Sequence, residues 1–430
     1  MALTGRAGLA ALLGALVVLA VRDVPALIAV NAVIVAAVVA DLRLAASVRQ
    51  MRVSREGDTK ILLGSSGEIT LTLHNPAGRP LRAVVRDAWR PSAGADPSRA
   101  RVTVPAGGRV TLTTTLTPTR RGDTAPGPVT VRSLGPLGLA GRQGHHDVPW
   151  SVRVLPPFLS RRHLPEKLGL LRQLEGQHRA LVRGEGSEFD SLREYVLGDD
   201  VRSIDWRSSA RRAEVMVRTW RPERDRRIIL VLDTGRTAAG RVAGVPRLDA
   251  SMDASLLLAA LAVRAGDRVD LLAVDRRVRA RVVGATRTGT LAAISDAMAP
   301  IDADLVESDA GLLASSVLGI ASRRCLLVLF TDLNKAAIEE GLLPRLPALA
   351  SRHRIVLAAV ADPRITEMAA GRGRPEAVYE AAAAERARSD RAAVSALLRR
   401  HGVQVVDALP DKLPPALADT YLGLKAAGRL

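Results

Sequence analysis

An unbroken apolar run that ends on a carboxylate constrains this chain more than any other stretch. Residues 228–232 read Ile-Ile-Leu-Val-Leu, and Asp233 follows directly, ahead of Thr234, Gly235 and Thr237. Such a run is typical of a strand that is buried on both faces of a parallel sheet. Ligands of open α/β sheets bind just beyond the carboxyl ends of the strands. We therefore predict an α/β sheet in which Asp233 either contributes to a binding site or caps the following turn.

The rest of the chain from residue 228 onward alternates between strand and helix patterns. This alternation predicts a doubly wound, mostly parallel sheet over residues 228–430, with helices on both faces. Thr331-Asp332 ends the fourth strand, so Asp233 and Asp332 converge if the first and fourth strands are neighbours. The predicted strands are 228–232, 268–274, 278–283, 325–330, 354–360 and 403–406. The predicted helices are 248–264, 291–299, 310–321, 336–351, 375–400 and 413–426.

Two apolar runs open the sequence, at residues 7–21 and 24–40, separated by Arg22 and Asp23. Each is slightly shorter than the roughly 20 residues of a spanning helix. We predict a transmembrane helical hairpin over residues 1–48; a signal peptide is the alternative, which the second run argues against. Basic residues flank both ends, so both termini are predicted to be cytoplasmic, in a multi-pass protein of the cell membrane.

Short alternating segments and turn residues follow between residues 49 and 157. Examples are Ile69-Thr70-Leu71-Thr72-Leu73 and the turn Asn75-Pro76-Ala77-Gly78. Regular short strands of this kind predict an immunoglobulin-like β-sandwich, preceding the sheet described above.

Residues 158–227 are dense in alternating acids and bases. Asp199, Asp200 and Asp205 lie close together in sequence, which leaves open a metal-dependent hydrolase that uses them. The competing interpretation is a surface of Arg–carboxylate ion pairs, because unpaired buried charges are costly.

Composition excludes some classes of function. The formal charge is +18, but only 2% of the residues are aromatic and the basic residues are spread along the whole chain. Single-strand binding usually requires stacking rings, so no specific nucleic-acid partner is predicted. Attraction to the lipid bilayer agrees better with the basic flanks of the apolar runs. The single cysteine, Cys325, lies within an apolar run and is interpreted as structural.

The 158–227 segment carries a long motif, which consists of Gly186, Glu188, Phe189, Asp190, Leu192, Arg193, Glu194, Tyr195, Gly198, Asp199, Asp200, Arg202, Ile204, Asp205, Trp206, Arg207, Ala210 and Arg211. This motif resembles the bacterial domain-of-unknown-function 58 family. The strand–helix order around it is similar to a von Willebrand factor A domain.

The resemblance implies a metal-ion-dependent adhesion site, whose open metal position receives a partner's carboxylate. Its ligand pattern maps onto Asp233, Thr237, Ser308 and Asp332, with Mg²⁺ or Mn²⁺ as the ion. Gly235 stands where the family pattern has a hydroxyl, so the site is degenerate and its metal affinity is expected to be low, because Mg²⁺ demands near-ideal geometry.

The resemblance also implies a function. Genes of the family tend to accompany MoxR-type AAA+ ATPases, so we predict a non-enzymatic, membrane-anchored interaction protein that works with such an ATPase in assembling or activating protein complexes. Other membrane or envelope proteins are further expected partners. The alternatives are the metal-dependent hydrolase and a cell-envelope binding factor that acts through the β-sandwich.

Overall fold

The computed structural model describes residues 2–181, 188–197, 199–212, 214–221, 226–242, 244–286 and 288–430. The fold is mixed α/β, and the chain divides into two compact units, Met1–Pro157 and Phe158–Leu430.

The first unit is built from two apolar helices and a set of mostly antiparallel sheets, in which Lys60–Leu62 and Val152–Leu155 form a parallel pair. A five-stranded and a four-stranded sheet share one hydrophobic cluster, in which Leu71 and Leu73 of the latter meet Leu81, Val85 and Val131 of the former. The strands are Ala2–Leu3, Arg52–Gly57, Lys60–Leu62, Gly67–His74, Leu81–Arg86, Ala95–Asp96, Arg99–Val104, Arg109–Leu116, Gly122–Thr124, Val129–Leu134, Ala140–His146 and Val152–Leu155.

The two apolar helices are Gly5–Val21 and Val24–Leu44. Among the described helices, Val24–Leu44 is the one long and apolar enough to cross a membrane, and Gly5–Val21 is a shorter apolar helix. Most of their large apolar side chains are exposed, including Leu12, Leu19, Ile28 and Val33. Exposed apolar surface of this extent marks a membrane or protein contact. The candidate membrane-spanning helix near the N-terminus indicates association with a membrane.

A six-stranded sheet forms the centre of the second unit. Its strands lie in the spatial order Val278–Val282, Arg268–Val274, Arg227–Asp233, Leu326–Phe330, Arg354–Val360 and Gln404–Ala408. The edge strand Val278–Val282 is antiparallel to its neighbour, and the other pairings are parallel. The first and fourth of these strands in chain order are therefore neighbours, as the sequence predicts.

Both faces of this sheet are buried. Along the strand Arg227–Asp233, Ile228, Leu230 and Leu232 join one hydrophobic cluster, and Ile229 and Val231 join another. Helices Arg247–Arg264 and Leu413–Ala426 contribute to the first cluster, and helix Ala310–Ile320 contributes to the second. This explains the unbroken apolar runs, because a strand covered on both faces has no solvent-facing position.

Most predicted helices of the second unit are present, but the one predicted over residues 336–351 is helical without being one regular α-helix. A π-helical segment Ala337–Leu342 leads into the 3₁₀ turn Leu343–Arg345 and the short helix Leu346–Ala350. Pro344 and Pro347 remove backbone donors from the middle of the prediction. The other helices are Arg236–Ala239, Arg247–Arg264, Thr290–Met298, Ala310–Ile320, Pro363–Ala369, Pro375–Arg400 and Leu413–Ala426.

The charged segment 158–227 contains regular structure within the second unit. The helix Leu164–Leu181 packs Leu171 into the same cluster as Ile228. The strands Glu188–Glu194 and Met216–Arg221 form a separate antiparallel pair, with the helix Trp206–Arg212 between them. Gly186 and Gly198 of the family motif lie outside the described residues.

Candidate functional site

Asp233 lies at the carboxyl end of the central strand and accepts hydrogen bonds from four groups. The Gly235 N–H donates over 2.9 Å, the Thr237 hydroxyl over 3.1 Å and the Thr331 hydroxyl over 2.6 Å. The Ser308 hydroxyl also donates to Asp233 Oδ1. Asp233 is only 8% exposed, and all four donors are uncharged. The donors therefore fix the orientation of the carboxylate without neutralising its charge.

Three separate segments converge on this carboxylate, and backbone hydrogen bonds hold them together. The loop that carries Ser308 is tied to the central strand end, because Arg236 N–H donates to Val306 C=O over 2.8 Å. Asp309 then caps the helix Ala310–Ile320 by accepting from the Gly311 and Leu312 N–H groups. The site is therefore preorganised by main-chain contacts and does not depend on side-chain packing alone.

Gly235 leaves no room for the hydroxyl that the family pattern has at this position. A Cβ there would overlap the Ser308 hydroxyl and would lie 2.7 Å from Val306 C=O. Ser308 thus occupies the space that a side chain at residue 235 would need, and its own hydroxyl serves Asp233.

A pocket of about 260 Å³ opens beside Asp233. Its polar lining comes from Asp233, Thr237, Ser308 and Thr331, together with Arg236, Glu307 and Glu340. Its apolar lining comes from Val231, Leu313, Leu329, Phe330, Ile338 and Leu342. Ile338, Glu340 and Leu342 come from the π-helical segment, and π-helical turns occur frequently at functional sites.

Asp332 does not join this cluster. Its carboxylate is paired with Arg247 over 2.9 Å and with Arg391 over 2.6 Å. Arg391 also bridges to Asp407 over 2.8 Å. Burial lowers the pKa of Arg391, but the hydrogen bonds and charges of Asp407 and Asp332 outweigh that effect and raise it. Asp332 is therefore part of an ion-pair network beside the pocket and does not line it.

The structure thus brings together three of the four predicted ligands, Asp233, Thr237 and Ser308, and adds Thr331. The set does not fit a divalent cation, because Asp233 is its only carboxylate and the other members are uncharged hydroxyls. The second acid, Asp332, is held by two guanidinium groups. Within the described residues, no group of three or more His, Cys, Asp or Glu side chains is arranged to hold a metal ion.

The neighbouring carboxylate Asp275 supports the same strand end. It accepts from the Thr234 hydroxyl over 3.1 Å, from Arg279 over 2.6 Å and from the Arg277 N–H over 3.0 Å. Burial acts to raise the pKa of Asp275, but these hydrogen bonds and the Arg279 charge outweigh it and hold the pKa below its usual range. Asp275 is therefore ionised and fixed, unlike a general acid.

Each of the three acids proposed for a hydrolase has its own hydrogen-bond partner. Asp199 pairs with Arg193 over 2.5 Å, and this hydrogen bond lowers the pKa of Asp199. Asp205 accepts from the Ser208 N–H over 3.0 Å and from Arg218 over 2.7 Å, and both lower its pKa. Asp200 caps a turn by accepting from the Arg202 N–H. Asp199 and Asp205 thus form ion pairs, as the ion-pair interpretation expects, and Asp200 has a backbone partner.

Thr331, Glu340 and Arg391 are the residues of this region that sequence reasoning missed. A usable signal existed for Thr331. Side chains alternate along a strand, so Asp233 lies on the same face as Ile229 and Val231. Thr331 lies on the face of Leu327 and Leu329, and the strand register that pairs Val231 with Leu329 places Asp233 opposite Thr331.

The relatives that the chain matches are described as uncharacterized proteins. The chain is similar to "Uncharacterized protein Rv1480" of Mycobacterium tuberculosis and "Uncharacterized protein Mb1516" of Mycobacterium bovis, each 28% identical over 204 residues. The match covers 45% of this chain and 61% of each relative, so the chain spans less than two thirds of their length.

Solved structures resemble parts of the chain only weakly. The CARDB domain of the PF1109 protein from Pyrococcus furiosus, crystallised in complex with di-metal ions, is 16% identical with a TM-score of 0.19; the match covers 24% of this chain and 87% of that one. The cupredoxin domain of amoB from Nitrosocaldus yellowstonii is 14% identical with a TM-score of 0.18; it covers 26% of this chain and 89% of its own.

A family model matches a long part of the chain. The model described as "Protein of unknown function DUF58" covers residues 191–405, which is half of the chain and includes Asp233, Ser308, Thr331 and Asp332. The matched region contains all the strand ends that form the site. The chain therefore belongs to the DUF58 family.

Proposed function

We propose that this protein is a membrane-anchored, non-catalytic interaction protein that binds a partner at the pocket beside Asp233. The observation that carries the proposal is the convergence of three strand-end and loop segments on one buried, charged carboxylate at an open pocket. A preorganised carboxylate with no neighbouring nucleophile–base pair among the described residues suits recognition better than catalysis.

The position of the pocket in the sheet supports a doubly wound, von Willebrand factor A-like domain. In chain order the sheet strands lie as third, second, first, fourth, fifth and sixth. The order reverses between the strands Arg227–Asp233 and Leu326–Phe330, which makes this the topological switch point. Ligands of doubly wound sheets bind in the crevice outside the carboxyl ends of strands at such a point, which is where Asp233 and Thr331 lie.

Contacts within the first unit support a helical hairpin as the membrane anchor. The Asp41 carboxylate near the end of the second helix accepts from the N–H groups of Leu137, Leu139 and Ala140 over 2.6–2.8 Å. Thr4, just before the first helix, donates its hydroxyl to Gly138 C=O over 2.6 Å. Both outer ends of the helix pair are thus attached to one short loop.

This shared attachment favours an antiparallel pair whose ends emerge on one side of the bilayer. Gly14 allows close approach of the helices, since a Cβ there would lie 2.7 Å from Val30 Cγ1. Arg6 and Arg43 flank the pair, so the positive-inside rule favours the cytoplasm for this side. The proposal therefore places both termini in the cytoplasm.

The proposed partner is a MoxR-type AAA+ ATPase, and this choice rests on the family resemblance. The test is capture of the purified ATPase from the same organism by the immobilised full chain in lipid nanodiscs. Wild type and Asp233→Ala would be compared at fixed nucleotide. Loss of capture with Asp233→Ala is expected. Equal capture by both proteins would remove the pocket from the interaction, and no capture by either would remove this partner.

A further inference from the structure

We propose that the pocket beside Asp233 receives a Lys or Arg side chain of the partner directly, with no metal ion between them. The inference rests on the proposed function and reverses the charge that the family resemblance implies for the partner residue. Asp233 would form an ion pair with the incoming cation, and the apolar residues that line the pocket would cover the aliphatic part of the partner's side chain.

The first observation behind this inference is the charge of the residues that line the pocket. Four charged residues line it, namely Asp233, Arg236, Glu307 and Glu340. Arg236 and Glu307 pair with each other over 3.0 Å at the exposed rim. In the described part of the chain, neither Asp233 nor Glu340 has a Lys or Arg at ion-pair distance. The pocket therefore holds two carboxylates whose charge is not neutralised, in a protein of formal charge +18.

Several other buried acids of the second unit have a cationic partner within the chain. Asp270 pairs with Arg227 over 2.5 Å, Asp275 with Arg279 over 2.6 Å, and Asp267 with Lys425 over 2.9 Å. Asp332, one strand end away, faces two guanidinium groups. A buried charge is costly unless it is paired, so the missing cation at Asp233 is expected to come from a bound partner.

The shape of the pocket agrees with a long cationic side chain. Lys and Arg bury their methylene stems along apolar surface while the charged head reaches a polar group. Here Leu313, Leu329 and Ile338 supply the apolar surface, and Asp233 supplies the polar group. A carboxylate from the partner would instead meet Asp233 and Glu340, with Arg236 already engaged. At physiological ionic strength the overall positive charge is screened beyond about 8 Å, so the local acids dominate the contact.

The test uses small probes and the full chain in lipid nanodiscs. Binding of Nα-acetyl-arginine methylamide and its lysine equivalent would be measured by ligand-observed NMR titration, in buffer containing EDTA. The norleucine and glutamate methylamides are the neutral and acidic controls. We expect the two cationic probes to bind about tenfold more tightly than norleucine, because a charge-assisted pair is lost in the neutral probe. The glutamate probe should bind most weakly.

Variants distinguish binding in the pocket from attraction to charge elsewhere on the surface. Glu340→Gln should weaken arginine binding several-fold, while Glu339→Gln, the adjacent acid that does not line the pocket, should leave it unchanged. Asp233→Asn should weaken arginine binding further. If the Asp233→Asn variant fails to fold, Glu340→Gln still tests the inference. Equal binding of cationic and norleucine probes, or an equal effect of Glu339→Gln and Glu340→Gln, would overturn the inference.

The result is separable from that of the ATPase capture. If the ATPase is not captured but arginine binds at Asp233, the proposed partner is wrong and the basic ligand class stands. If the ATPase is captured through Asp233 only when Mg²⁺ or Mn²⁺ is added to the metal-stripped chain, with nucleotide absent, the metal-free inference fails and the interaction function stands.

Discussion

The Ser308 hydroxyl donates to Asp233 from the space that a side chain on Gly235 would fill. The backbone of Gly235 has φ −80° and ψ −169°, an extended conformation that any residue adopts. Space, and not backbone conformation, therefore requires glycine at this position. Because Ser308 fills this space, residue 235 cannot supply the hydroxyl that the adhesion-site pattern has at this position.

Replacing Gly235 with Ala should destabilise the protein through crowding. Overpacking of this kind costs about 1–3 kcal/mol. In a Ser308→Ala background the cost should fall by about 0.5 kcal/mol or more, since residues in contact couple to that extent. Val306 C=O, 2.7 Å from the new Cβ, should keep the relief partial. Urea unfolding of the four proteins of this double-mutant cycle measures the coupling, and additive effects would contradict the contact.

Removing Arg391 should be far more damaging than removing an exposed arginine of the same helix. Arg391 joins Asp332 and Asp407, and its side chain is 16% exposed. Arg391→Ala should lower the free energy of unfolding by about 1.5–3 kcal/mol, because Asp407 loses its ion-pair partner and Asp332 keeps only Arg247. Arg386, 82% exposed and 3.6 Å from Asp390, is the matched control. Its replacement by Ala should change stability by less than about 0.5 kcal/mol, and equal losses would refute the network.

The sequence predicted the central sheet because strands buried on both faces read as continuous apolar runs. It did not predict the position of Asp332, since its partners Arg247 and Arg391 lie 85 and 59 residues away along the chain. Strand alternation places Asp332 on the same face as Phe330, which belongs to the cluster opposite Asp233. The resemblance to adhesion sites predicts that Asp332 lies in the site, although strand alternation places it on the other face of the sheet. The family pattern does not show which acids of this chain pair with its own arginines.

Acid should remove a stabilising contribution from Asp275. Its pKa is lower in the folded protein than the value of about 3.9 expected when unfolded. The contribution is therefore present above pH 4 and is lost as the pH falls through the folded value. The stability difference between wild type and Asp275→Asn should be constant from pH 5 to about pH 7 and should shrink below about pH 4. Denaturant unfolding at several pH values tests this; a difference that grows on acidification would contradict it.

Asp41→Asn should loosen the loop that joins the apolar helices to the sheet. Asp41 is fully buried, and three backbone N–H groups donate to its carboxylate. Hydrogen bonds to a charged group contribute about 1.5–3 kcal/mol, so amide exchange at Leu137, Leu139 and Ala140 should accelerate about tenfold or more. Asp23→Asn, at the exposed start of the same helix, is the control and should leave these amides unchanged. Unaltered exchange in Asp41→Asn would show that the loop is held by other contacts.

The site of partner contact can be read directly by hydrogen exchange of the full chain, with and without a saturating MoxR-type ATPase. Our account predicts added protection in the three segments around Asp233, at residues 235–237, 306–311 and 337–342. It also predicts that the Glu340→Gln variant shows less of this protection than Glu339→Gln. Protection confined to the strands between residues 52 and 155, with the Asp233 segments unchanged, would contradict it and assign binding to the β-sheets of the first unit.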